Sequence, residues 1–114
     1  MTPQKIFTTA FLGVIGQGCL SENADGVCQY RSDLGAKCVI GWLIDDRTAA
    51  EFGGRVIRCI ARKRLPGHIR DNFDLCVSMQ EAHDFAAMWS EGVAGFRHRM
   101  IKVAARYNLE VPDV

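Results

Sequence analysis

The chain has 114 residues, of which 48% are hydrophobic and 24% charged, a composition typical of one folded domain, here taken as residues 1–114, and not of a disordered tail. A formal net charge of +1 favours neither a protein that binds polyanions through bulk charge nor an acidic mimic of nucleic acid. The five cysteines are odd in number and widely spaced, which is untypical of a secreted disulfide framework and predicts reduced thiols in a cytoplasmic protein.

The first predicted element is a helix from Pro3 to about Gln17. Thr2 suits the N-cap position, Pro3 suits the first turn, and Gly18 suits the end. The apolar run inside it is similar to the centre of a signal peptide, but only Lys5 precedes that run, so we expect an amphipathic helix. No segment is long enough to span a bilayer, and no membrane association is predicted.

Residues 27–44 are predicted to form a β-hairpin around an Asp-Leu-Gly turn. Alternation places Cys28 and Tyr30 on one face of the first strand, and Cys38, Ile40, Trp42 and Ile44 on one face of the second. The two faces lie on the same side of the hairpin only if the residue numbers of paired positions sum to an even value. This parity puts Cys28 opposite Cys38 or Ile40, with a loop of three or five residues in which Gly35 can take a positive φ.

The segment after the hairpin is predicted to hold a short helix and a basic stretch. Asp45 and Asp46 can cap a helix over residues 47–52, which Gly53 and Gly54 then end. Residues 55–64 favour a further helix, although their β-branched side chains leave a third strand as an alternative. The Leu-Pro-Gly sequence at 65–67 stops that element.

The remaining chain is predicted to be a helical pair. Apolar residues recur at helical spacing over 69–80 and again over 85–107, with a restart or cap at 78–81 and Asn108 as the final C-cap. The predicted fold class is therefore α+β, with a small antiparallel hairpin or sheet over about 27–44 packed against an N-terminal helix and C-terminal helices. The expected core or half-core side chains are Phe11, Tyr30, Trp42, Phe73, Trp89, Phe96 and Met100.

Three short patterns carry a family resemblance. They are Cys28-x-Tyr30-Arg31, then Lys37-Cys38-x-x-Gly41 with Leu43-Ile44-x-Asp46, and Gln80-x-x-His83-Asp84 ahead of a Trp-containing amphipathic helix. Together they resemble small proteins found in phages, prophages and some bacterial genomes, over most of the chain. That resemblance implies a fold and a genomic setting, and it brings no established activity with it.

Metal binding and catalysis are weakly indicated. Zinc could take Cys19, Cys28 and Cys38 with His68 or His83, but the spacing lacks the close Cys pairs typical of structural zinc. The His83-Asp84 pair is similar to ligand pairs of metal-dependent phosphohydrolases, yet local hydrogen bonding that fixes a helix is the preferred interpretation. No cysteine has the neighbours of an activated nucleophile. We predict no cofactor, no metal site and no catalytic residue.

Two basic stretches are the remaining candidate surface. The first has no acidic residue within it and the second places its last three cations on one helical face. Clustered cations suit phosphate groups, and arginine also suits carboxylates at protein interfaces. The predicted binding residues are Arg55, Arg58, Arg62, Lys63, Arg64, Arg97, Arg99, Lys102 and Arg106.

The leading functional hypothesis is a small non-enzymatic accessory protein of phage or mobile-element type that binds a host protein. Inhibition of a bacterial defence complex, as by an anti-CRISPR protein, is the specific form that the resemblance implies. One alternative is an accessory factor that binds nucleic acid through the same basic surface. A further alternative is a metal-dependent hydrolase that uses His83 and Asp84.

Overall fold

The computed structural model describes residues 1–114, which fold into five α-helices joined by loops and short 3-10 turns. The helices are α1 (Pro3–Gln17), α2 (Asp46–Phe52), α3 (Gly67–Arg70), α4 (Phe73–Met88) and α5 (Gly92–Tyr107). The 3-10 turns are Ile40–Leu43, Ile57–Cys59 and Arg62–Arg64. None of the helices combines the length and apolar character that a bilayer-spanning segment needs.

Helix α1 has the predicted bounds. The Thr2 hydroxyl accepts a hydrogen bond from the backbone N–H of Lys5, and Gly18 ends the helix in the left-handed conformation. The buried stripe of α1 faces α4 and α5, where the Phe11 and Phe96 rings stack with their centroids 6.4 Å apart. The buried residues of α1 are Ile6, Phe7, Ala10, Phe11 and Val14.

A core of 24 buried residues lies between α1, α4, α5 and the loop that precedes α2, with further side chains from α2, α3 and the segment that joins them. Phe11, Phe96 and Met100 are fully buried, which confirms their predicted place in the core. Tyr30, Trp42 and Phe73 are partly buried against it, also as predicted. The prediction for Trp89 is wrong, because this side chain is 67% exposed at the end of α4.

Trp42 packs directly on the backbone of α1. A β-carbon added at Gly13 would lie 2.5 Å from Cγ of the indole ring, so the ring occupies the space that any larger residue would need. The Lys37 ammonium lies 4.8 Å from the centroid of the same ring. Gly13 therefore sets how closely the segment around Trp42 approaches the helix.

The predicted α+β class is wrong, because the chain contains no sheet. Residues 27–44 form a loop whose one β-bridge joins Glu22 to Cys28, outside the predicted pairing. The second predicted strand leads into the 3-10 turn Ile40–Leu43. Cys38, Val39, Ile40 and Gly41 are all buried in succession, whereas a half-buried strand would bury alternate residues. The spacing of Ile40 and Trp42 is that of a strand, but both residues lie in the 3-10 turn, where positions i and i+2 do not share a face.

Side chains take the place of a partner strand in this loop. Both polar groups of the Gln17 amide bond the backbone of Lys37, and the Ser21 hydroxyl donates toward Gln29 O or Ala36 O, with Oγ–O distances of 2.6 and 3.0 Å. The Arg31 guanidinium donates to the backbone carbonyls of Tyr30, Gly41 and Ile44, at 2.8 to 3.0 Å. It also donates to the Asp46 carboxylate at 2.8 Å. Buried backbone groups need partners, and here long polar side chains supply them.

Two further expectations about helix bounds are corrected. Residues 55–64 are neither a helix nor a strand, because extended backbone at Val56 and Ile60 separates the 3-10 turns. The helical pair breaks at Ser90 and Gly92, which have φ values of 54° and 65°, and not at 78–81. The apolar run over 85–107 therefore belongs to two helices, and its first part reaches solvent. Helix α2 and the Asn108 C-cap are confirmed.

Candidate functional site

A polar cluster joins α4 to the loop over residues 18–45. The Gln80 amide oxygen accepts from the backbone N–H of Ile40 at 3.0 Å. Its nitrogen donates to the Cys28 sulfur at 3.1 Å and to the Asp84 carboxylate at 2.7 Å. Because both ends of this largely buried amide are bonded, Gln80 fixes the loop to the helix.

His83 has both ring nitrogens engaged. Its Nε2 accepts a hydrogen bond from the backbone N–H of Ser21 at 3.0 Å, so the ring proton of the neutral form lies on Nδ1. That Nδ1–H donates to the Asp84 oxygen Oδ1 at 3.1 Å. The ring is fully buried and meets Phe96 edge to face. The bonds of His83 therefore hold the Ser21 segment on α4.

This arrangement does not favour a metal or a general base. Cys28, His83 and Asp84 place potential ligand atoms within 4.8 Å of one another. A metal at Nδ1 of His83 would have to displace the proton that Asp84 accepts, while Nε2 is already occupied by a backbone N–H. The metal-dependent hydrolase alternative gains no support from these contacts.

The Cys28 thiol is a poor candidate nucleophile. Its hydrogen bond with the Cys38 thiol raises its pKa, and burial and the nearby Asp84 carboxylate raise it further. A raised pKa keeps the sulfur protonated at neutral pH. Because only the thiolate is nucleophilic, the thiol of Cys28 is unreactive. Burial also raises the pKa of Tyr30, which lies beside the cluster.

Of the zinc ligands considered from the sequence, Cys38 interacts with Cys28 of this cluster, but Cys19 and His68 lie apart from it. Cys19 is exposed after α1, and His68 on α3 forms a hydrogen bond with the Leu43 carbonyl. The structure therefore brings together Cys28 and His83 with Asp84, and this group of possible ligand atoms includes neither Cys19 nor His68.

Three of the predicted basic residues meet on α4. Arg58 forms a 2.7 Å ion pair with Glu81, and Arg106 donates to the Ser78 hydroxyl at 3.4 Å. Arg99 lies over the Phe85 ring, with the guanidinium carbon 5.7 Å from its centroid. Both basic stretches thus contribute to one surface, although they are far apart in sequence.

The same arginines are mostly bonded within the chain. Arg99 makes a bidentate bond to Glu91 at 2.8 and 2.9 Å, which holds the pKa of that carboxyl below its usual range. Arg62 lies 3.9 Å above the Phe73 ring centroid. Arg55 donates to backbone carbonyls at the end of α2. In contrast, no ion pair or hydrogen bond engages the side chains of Lys63, Arg64 and Lys102.

Arg97 does not belong to this surface. It lies on the α1 side of α5, with its guanidinium carbon 5.5 Å from the Phe11 ring centroid. The structure therefore divides the nine predicted binding residues among several surroundings, and only the surface on α4 combines arginines from both stretches.

We use the name α4 face for the exposed side of α4 and the arginines that cover it: Ser78, Glu81, Phe85 and Trp89, with Arg58, Arg99 and Arg106. Phe85 is 40% exposed and Trp89 is 67% exposed. The sequence analysis missed this pair of aromatic side chains. The signal was present, because positions 78, 81, 85 and 89 share one helical side on which the first two are polar.

Comparison with known proteins gives no match: no protein-family model, no curated protein and no solved structure is similar to this chain. The resemblance to small phage proteins therefore stays a prediction.

Proposed function

We propose that this chain is a non-enzymatic accessory protein of phage or mobile-element type that binds a host protein through the α4 face. The observation that carries the proposal is the exposure of Phe85 and Trp89 on a helix side rimmed by arginines. Aromatic and arginine side chains are the ones most enriched where protein interfaces gain their binding energy.

The charges of the α4 face favour a protein over a nucleic acid. Arg58 and Arg99 are already paired with Glu81 and Glu91, so phosphates would have to compete with fixed carboxylates. Those glutamates would also repel a polyanion directly. A protein that offers an apolar centre to the aromatic pair and a few carboxylates to the arginine forks fits this surface better.

The partner that the resemblance implies is a component of a bacterial defence complex, with the chain acting as an inhibitor in the cytoplasm, as an anti-CRISPR protein does. This finer assignment is supported by the similarity of the Cys-x-Tyr-Arg, Lys-Cys-x-x-Gly and Gln-x-x-His-Asp patterns to those of phage and prophage proteins. The α4 face supports the coarser part, which is binding to a protein surface.

Affinity capture from a bacterial lysate, with mass spectrometry and with nuclease added to half of the samples, tests the proposal. The capture compares the wild type with Trp89→Ala and with Leu34→Ala. Leu34 is the control, because it is an apolar side chain that is 95% exposed and does not belong to the α4 face. We expect one host protein that resists nuclease, is lost from Trp89→Ala and is kept by Leu34→Ala. A protein captured equally by both variants would refute the assignment to the α4 face.

Salt dependence then separates the nucleic-acid alternative. For binding to phosphates, the logarithm of the binding constant falls steeply and linearly with the logarithm of the salt concentration. For an interface with an apolar centre, the binding constant changes little with salt. Lys63 and Lys102 are exposed cations without a partner in the chain, so the double variant Lys63→Glu, Lys102→Glu leaves the aromatic pair intact. Loss of all binding in that variant, together with a steep salt slope, would favour nucleic acid.

A further inference from the structure

A groove beside the polar cluster has a chemistry opposite to that of the arginine-rich surface. It lies between the loop at 22–28, the segment at 54–56 and the last turns of α4, and has a volume of about 680 Å³. Ligand-binding clefts commonly span roughly 300–1,000 Å³. Its acidic side chains are Glu22, Asp25 and Asp84, its exposed apolar side chains are Val27, Val56 and Met88, and none of the residues that line it is basic.

The carboxylate of Asp84 is held in a fixed orientation at this groove. Its Oδ1 accepts from both Gln80 and His83, at 2.7 and 3.1 Å, while Oδ2 accepts no hydrogen bond from the chain. The side chain is 30% exposed. A carboxylate with one oxygen anchored and the other unused is oriented before any ligand arrives, which lowers the cost of binding a cation.

The opposite wall of the groove is also formed in advance. The Asn23 side-chain oxygen accepts from the backbone N–H groups of Asp25 and Val27, at 2.9 and 3.0 Å, and the backbone N–H of Asn23 donates to the Val27 carbonyl at 2.8 Å. These bonds close a tight turn that holds Val27 at the groove, where 55% of its surface is exposed. Met88 faces the groove from α4 and is 63% exposed.

We propose that this groove binds a segment of a protein partner in which a lysine or arginine lies next to apolar side chains. The cation would pair with Oδ2 of Asp84, and the apolar neighbours would cover Val27, Val56 and Met88. Charge complementarity selects this occupant, because the groove offers three carboxylates and no cation. The inference is independent of the α4 face, which needs an acidic partner.

The test uses the full-length protein labelled with ¹⁵N and a capped pentapeptide that alternates leucine with arginine. A second peptide with glutamate in place of arginine is the control for charge. We expect the arginine peptide to shift amide signals at 22–28, 54–56, Asp84, Ala87 and Met88, and the glutamate peptide to leave them unchanged. Shifts confined to Ser78, Glu81, Phe85 and Trp89 of the α4 face, or no shifts at the groove, would overturn the proposal.

Asp84→Asn is the decisive variant, because asparagine keeps an oxygen acceptor for Gln80 and His83 and replaces only the unused oxygen. We expect it to raise the Kd of the arginine peptide about tenfold, as for loss of one charge-assisted bond. Asp74→Asn removes an exposed carboxylate at the other end of α4 and should leave the Kd within twofold.

Two other results of the same experiment would overturn the inference. One is an unchanged Kd in Asp84→Asn. The other is a concentration-dependent shift of the groove amides without peptide, which would show that a second copy of the chain covers the groove. Met88→Ser provides an independent check, and the arginine peptide should bind this variant more weakly as well.

Discussion

The contact between Gly13 and Trp42 supports a sharp prediction about stability. Glycine inside a helix costs about 0.5–1 kcal/mol relative to alanine, so Gly→Ala in α1 should stabilise the protein wherever space allows. At Gly16 nothing lies within 4 Å of the added β-carbon. At Gly13 the β-carbon would meet the Trp42 ring at its base, and the whole indole would have to move.

The magnitudes follow from these two environments. Gly16→Ala should raise the free energy of unfolding by about 0.5–1 kcal/mol. Overpacking at Gly13 costs about 1–3 kcal/mol, which exceeds the gain in helix propensity, so Gly13→Ala should lower the free energy of unfolding by up to about 2 kcal/mol. The two variants should therefore differ by about 1–3 kcal/mol, which is the cost of the clash alone.

Urea unfolding followed by circular dichroism at 222 nm measures both variants, and a double-mutant cycle isolates the contact. In a Trp42→Ala background, Gly13→Ala should become stabilising by about 0.5–1 kcal/mol, like Gly16→Ala. If Gly13→Ala stabilised the wild-type protein as much as Gly16→Ala does, the packing of the indole on α1 would be refuted.

Three other measurements address the loop and the cysteines. Arg31→Lys cannot replace a guanidinium that bonds three carbonyls and a carboxylate, so urea unfolding should show a loss of about 1–3 kcal/mol; an unchanged midpoint would contradict this role. Burial raises the pKa of Cys76 from 9.0 to about 12, so its contribution is complete below pH 9 and falls as the pH rises toward 12. Relative to Cys76→Ala, the wild type should lose about 2 kcal/mol between pH 8 and 10.5, and parallel pH profiles would oppose this assignment. An aromatic disulfide reagent at pH 8 should label two thiols quickly, the exposed Cys19 and Cys59, and the other three only after unfolding; fast labelling of Cys28 would show that the polar cluster is open.

Local signals were sufficient for part of this fold. The bounds of α1 follow from Thr2 and Gly18, and the end of α5 follows from Asn108, because capping depends on residues a few positions apart. The loop over 27–44 could not be predicted in the same way. Its conformation depends on Gln80, which is 40 residues from the backbone N–H that it bonds, and no local pattern contains that information.

The candidate site also combines features that local sequence predicts with features that depend on residues far apart in sequence. Periodicity places Arg99, Lys102 and Arg106 on one side of a helix, and the structure agrees for the two arginines, which both contact α4. The pairing of Arg58 with Glu81 is a contact across 23 residues, and it is one reason why we propose a protein partner and not a nucleic acid. The exposure of Trp89 depends on where the two last helices separate, for which Gly92 was the available sequence signal.

The loop held by Gln17, Ser21, Arg31 and Gln80 should be unusually sensitive to the loss of polar side chains. An ordinary core is damaged most by loss of methyl groups, but here replacing Gln80 by leucine, similar in size and more apolar, would strand the amide of Ile40 without an acceptor. Each anchor holds backbone at a different point, so release of one removes support from its neighbours. Residues 18–45 should therefore open to hydrogen exchange cooperatively, while α4 and α5 remain protected until the whole molecule unfolds.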